Sequence, residues 1–279
     1  MPAHTVAQAL AYINWTLVLA LGLGCFAAAV LFRRTTNPTG GYLSAVCGFA
    51  AAFGILAWLA DTGLPAPVGL VISAAPAGID QARQAAILIF AGACLVAAFR
   101  VRRGSGLVVT GTIGLGAGLI AFGLGAAGWS SGPTVAVPLL LQFVVLSVAS
   151  GGCLATLILG HWYLVTPRLS ERPLLVASRL LTLIAAMQLL LFLTWAAFGT
   201  GSAAGGRPFS ELTGPSALFV WLRLVVSILG PLVLGAMAER TARTRSMESA
   251  TGLLYVDFAA VISGTIVAAA LAYGSGLLV

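Results

Sequence analysis

Apolar residues dominate this chain in long unbroken runs, separated by short connectors rich in Arg, Gly, Pro, Ser and Thr. A helix crossing about 30 Å of hydrocarbon needs about 20 mainly apolar residues. Eight runs approach or pass that length, at 10–32, 42–64, 84–101, 106–129, 138–166, 173–198, 216–238 and 250–275. In lipid every backbone polar group must be satisfied within its own segment, which helices achieve. The pattern therefore predicts an all-α, polytopic transmembrane bundle of about eight helices, forming one integral membrane domain over 1–279. The stretch 65–82, with PVGLVISAAP, is too short to span with turns at both ends. It is expected to lie along the interface or to dip in as a re-entrant piece.

The connectors alternate in character. The first, third, fifth and seventh carry Arg33 and Arg34, then Arg100, Arg102 and Arg103, then Arg168 and Arg172, then Arg240, Arg243 and Arg245. The even connectors carry only Arg83, beside Asp80, and Arg207, near Glu211. Short loops with excess arginine stay in the cytoplasm. The alternation thus predicts that the N-terminus and C-terminus are both non-cytoplasmic, in a bacterial inner (cytoplasmic) membrane. The start, MPAHTVAQAL, lacks a basic n-region and a cleavage site, so the first run is expected to be a retained helix.

Composition agrees with lipid as the solvent. Hydrophobic residues make up 60% of the 279 and charged residues only 8%, against roughly 25% charged in soluble domains. The net charge of +7 raises the question of nucleic acid. Arginines confined to short turns form no extended basic face on which to track phosphates, so nucleic acid is not an expected partner. The chain has no Lys, which removes Schiff-base chemistry on a membrane-embedded amine. Cys25, Cys47, Cys94 and Cys153 all sit in apolar runs without CxxC spacing and read as small core residues.

Glycine is abundant, and small residues let helix backbones approach in lipid. Gly114 and Gly118 form a GxxxG pair, and Ser147, Gly151 and Ala155 repeat at four-residue spacing. Both faces are expected to pack inside the bundle. No strong internal repeat is visible in the sequence.

Charge inside hydrocarbon is expensive and marks function. His161, Arg179 and Asp257 each lie six or seven residues from an arginine-bearing helix end, roughly 9–10 Å deep. Tyr163, Tyr255 and Trp162 lie beside them in sequence. A His that donates to a carbonyl, a carboxylate that takes a proton and an Arg that holds it form a set suited to a quinone headgroup. The simpler structural alternative is an Arg179–Asp257 ion pair, with Arg179 snorkelling to lipid phosphate. Arg223, six residues below the other face, anchors an interface or marks a second polar site; Asp61, Glu211 and Gln142 are candidates to meet it. Gln188 is expected to bond across helices, and Gly230-Pro231 to kink the seventh helix.

Two His residues, of which His4 is near the N-terminus, do not provide bis-His haem ligation, and Met187 or Met237 would be needed for a His–Met pair. No HExxH, GxSxG, P-loop or paired-carboxylate spacing appears, so no haem or metal is expected.

The segments GHWYLVTPRLSERPL (160–174) and SATGLLYV (249–256) resemble signatures of a family of bacterial membrane proteins. The eight-helix count is similar to that of the NrfD/DmsC-type anchor subunits of respiratory molybdenum and iron–sulfur enzymes. That likeness implies a membrane quinone/quinol site and a bound redox partner subunit as the source of electrons. The alternatives are a secondary transporter or channel-like protein, and a structural or assembly subunit without chemistry.

Overall fold

A computed structural model describes residues 3–36, 38–76, 78–104, 106–166, 169–199 and 207–279, with side chains from residue 7 onward. The side chain of His4 and all of Arg168 lie outside the described residues. The chain is all-helical, with no strand among the described residues. The helices are α1 (Ala3–Thr35), α2 (Gly40–Thr62), α3 (Ile79–Arg102), α4 (Val108–Trp129), α5 (Pro133–Val165) and α6 (Arg172–Phe198). The seventh span is discontinuous: α7 (Ala217–Leu224), a π-helical turn Val225–Leu229, then α8 (Gly230–Arg243). The last helix is α9 (Met247–Ser275). Eight spans are long and apolar enough to cross a membrane, matching the eight runs read from the sequence.

Their outward faces are apolar. Phe198, Leu218 and Leu190 are each exposed, and lipid rather than water is the solvent in which such a surface is stable. The core lies along α1 and α5, each 78% buried over its most apolar stretch. Glycine and serine bring these two together. A Cβ on Gly24 would overlap the backbone of Ser147, and one on Gly151 would overlap Gly24 and Cys25. Helix α4 packs in the same way, Gly114 against Phe26 and Gly118 against Leu23 of α1. Both small-residue faces are therefore internal contacts. All four cysteines are free and buried.

An even number of spans returns the chain to its starting face. Tyr12 near the start of α1 donates to the Pro65 carbonyl at 2.7 Å, and the Val71 amide donates to the Tyr273 carbonyl at 3.1 Å. The ends of α2 and α9 and the start of α1 thus share one face, called here the terminal face. The connectors at the other end carry Arg33, Arg34, Arg102, Arg103, Arg243 and Arg245, and this is the arginine face. The connector at 65–76 is neither a span nor a re-entrant helix. It lies across the terminal face, tied down by the Val71 amide and by the Ser73 amide, which donates to the Trp129 carbonyl at 2.9 Å.

Candidate functional site

The fold does not turn His161, Tyr163, Arg179, Tyr255 and Asp257 toward one point. Tyr163 is buried and donates to the Ser170 carbonyl, closing the turn after α5. His161 and Tyr255 are exposed on the outside of the bundle. Arg179 is also turned outward, where Nη2 meets Glu239 Oε1 at 2.9 Å. The same carboxylate receives Arg243 Nη2 at 2.6 Å. The expected Arg179–Asp257 pair is therefore absent: α6 presents Arg179 to the α8 surface, while α9 turns Asp257 inward. His161 and Arg179 thus face the outside of the bundle, and Asp257 its interior.

Asp257 is instead enclosed, 1% exposed. It lies ten residues into α9, about 15 Å along the helix axis and so deeper than expected. Oδ2 accepts from Cys153 Sγ at 3.5 Å, and Oδ1 is buried without a partner.

The terminal half of the bundle holds two buried polar groups. The first joins α2 to α3. Arg83 was read as part of a connector, but α3 begins at Ile79 and places it one turn inside the helix, 2% exposed. Its Nε donates to Asp61 Oδ2 at 2.6 Å, and its Nη2 reaches Asp61 Oδ1 at 3.2 Å and Asp80 at 2.8 Å. Trp15 Nε1 donates to the same Asp61 Oδ2 at 2.7 Å. The guanidinium lies over the rings of Trp129 and Trp15, at 4.9 and 5.8 Å from their centroids. A buried ion pair needs such additional partners to offset its desolvation. Asp61 is thereby committed to Arg83 and does not meet Arg223.

The second group surrounds Arg223 in the last turn of α7, 3% exposed. Its Nε donates to the main-chain oxygen of Val279 at 3.4 Å. No Asp or Glu side chain pairs with it among the described residues. The guanidinium rests on Gly264 of α9, where a Cβ would overlap Ser227 and stand 2.8 Å from Nη1. Gln142 of α5 and Gln188 of α6 face the same narrow cleft. Gln142 Nε2 donates to the Ala268 carbonyl at 3.3 Å, which leaves Oε1 free. Gln188 Nε2 and Ser227 Oγ are likewise buried without partners. The cleft has about 10 Å³ of space, enough for one water. Trp195 and Val279 also line a wider cleft of about 30 Å³ above it, whose rim includes Arg207 and Glu211. The arrangement offers a fixed positive charge, an amide donor and an amide acceptor around one small volume, with the Ser227 hydroxyl behind it at Gly264.

Of this group the sequence singled out Arg223, Gln142 and Gln188 separately, and missed Ser227. The signal that links Ser227 to Arg223 is their four-residue spacing directly before Gly230-Pro231. A π turn widens the helix there, as such turns do at functional sites.

Compared with protein-family models, with curated proteins and with solved structures, the chain matches none.

Proposed function

We propose that this chain is a secondary carrier that binds a small anion at Arg223, inside the bundle, and moves it across a bacterial inner membrane. The observation that carries the reading is a buried guanidinium without a side-chain carboxylate, set among unpartnered polar atoms. A charge in hydrocarbon is costly and is retained where it pairs with a substrate or lines its path. Arg223 and Gln188 Nε2 supply donors to an oxyanion or carboxylate. Gln142 Oε1 favours a ligand that also carries a hydroxyl or brings a bound water. The discontinuous seventh span supports the same reading, because broken helices near the membrane centre form substrate sites in carriers. The two neighbouring clefts, which share Trp195 and Val279, support an entry from the terminal face, the outer face in this reading. With space for one water in the inner cleft, loading requires the π turn and Gly230-Pro231 to widen it.

The test is thermal unfolding of detergent-purified protein with formate, L-lactate or nitrate, at an ionic strength held constant with gluconate. A ligand that binds only the folded state raises its stability by RT ln(1 + [L]/Kd). At least one of these anions is expected to stabilise the protein, Arg223→Gln to lose the gain, and Arg103→Gln on the opposite face to keep it. A wild-type protein indifferent to all three, or an Arg223→Gln variant that gains as much, overturns the reading.

A further inference from the structure

We propose that Asp257 is the proton-binding partner of the Arg223 anion site, so that the solute is taken up together with a proton. The inference rests on the anion reading above. It is carried by a second observation: a carboxyl group enclosed in the bundle with one oxygen bare and no cation beside it. Intramembrane acids of this kind mark proton relays.

The two sites share α9. Gly264 carries the contact with Arg223 and Ser227, and Asp257 lies on the same buried face, two helical turns or about 10 Å nearer the arginine face. Cys153 of α5 is the titratable group that touches Asp257, and Cys25 of α1 stands behind Cys153. Glu239 of α8 accepts from both Arg179 of α6 and Arg243 outside this seam. Arg223 of α7 is thus the charged group that the α9 seam joins to Asp257. An anion on Arg223 adds a negative charge to the buried seam, and a solvent proton taken up on Asp257 Oδ1 balances it; release of the anion returns the proton. The coupling is reciprocal, as any linkage between two sites must be. The pair then crosses the membrane with the charge of the solute offset by the proton.

The experiment measures proton uptake when L-lactate or nitrate is added to purified protein in weakly buffered detergent solution near neutral pH. Wild-type protein is expected to take up a substantial fraction of one proton per anion bound. Asp257→Asn is expected to bind the same anion without uptake and with an affinity flat in pH, and Asp257→Glu to restore the uptake. Binding by wild-type protein with no uptake, or uptake equal in wild type and Asp257→Asn, overturns the coupling and leaves the anion site standing. Absence of binding by the wild type removes both. If Asp257→Asn does not fold, the wild type against Asp257→Glu decides on the pH dependence of affinity: a flat wild-type profile overturns the coupling.

Discussion

Arg223 lies against Gly264 of α9, where a Cβ would come within 2.8 Å of Nη1 and overlap Ser227. The glycine therefore sets how deep the guanidinium sits. Gly264→Ala is expected to weaken anion binding by at least tenfold while leaving the charge in place, since each tenfold corresponds to about 1.4 kcal/mol. Titration of the thermal stabilisation against anion concentration reads this directly. An affinity within twofold of wild type would count against the site.

The α1–α5 crossing makes a prediction about stability alone. A methyl on Gly151 meets the backbone of Gly24 and Cys25, which has no rotamer with which to move aside. Gly151→Ala is expected to cost about 1–3 kcal/mol. Gly116 and Gly123 on α4 have nothing within reach of a Cβ. Alanine there is expected to be neutral or to stabilise by up to about 1 kcal/mol through helix propensity. Reversible unfolding in mixed micelles distinguishes the two classes.

Breaking the buried pair of Asp61 and Arg83 leaves an uncompensated charge. Asp61→Asn and Arg83→Gln are each expected to cost about 3–5 kcal/mol. The double variant is expected to lose less than the sum of the two. Asp80→Asn, whose side chain is exposed, is expected to cost no more than about 1 kcal/mol. A double-mutant cycle by the same unfolding assay gives the coupling.

Arg179 and Arg243 converge on Glu239 with both arginine side chains more than half exposed. Exposed pairs of this sort contribute about 0–1 kcal/mol. Glu239→Gln is expected to change stability by no more than that and to leave lactate-linked proton uptake at Asp257 intact. Loss of that uptake in Glu239→Gln would show that Glu239, and not Asp257, carries the proton.

The arginine-bearing turns predict an orientation that labelling can test. All four native cysteines are buried, so single reporter cysteines can be added to the natural chain. In intact cells freed of their outer barrier, a membrane-impermeant maleimide is expected to label Val68→Cys. It is expected to reach Arg103→Cys only after permeabilisation. Equal labelling of both before permeabilisation would refute the assigned sidedness.

The spans were legible because each apolar run closes its own backbone hydrogen bonds, so hydropathy along the chain suffices to find it. Helix rotation was not read in that way. Counted from the apolar runs, Arg179 and Asp257 have similar depths, yet Arg179 shares its stripe with the exposed Leu183, Met187 and Leu190. Asp257 shares its stripe with the buried Leu254, Val261, Gly264 and Ala268. The small residues on that second stripe were the available sign that it faces a neighbouring helix. In α6 the same logic turns Gln188 inward with Leu181, Ala185, Phe192 and Trp195. Arg83 was misplaced for a different reason. Polar residues at a helix start resemble a connector, and only the fold reveals that Asp61 waits at the end of α2 to receive the guanidinium.

The wide turn in the seventh span has a geometric consequence. Arg223, Ser227, Pro231 and Gly235 are spaced four residues apart and are all buried. In a uniform α-helix, three steps of four residues would spiral by about 120° around the cylinder. The π turn absorbs that drift and stacks the four on one side. A switch of those five residues to ordinary α pairing would swivel Arg223 through roughly a third of a revolution, out of line with Gly235. The movement would be a turn of α7 about its own axis relative to α8.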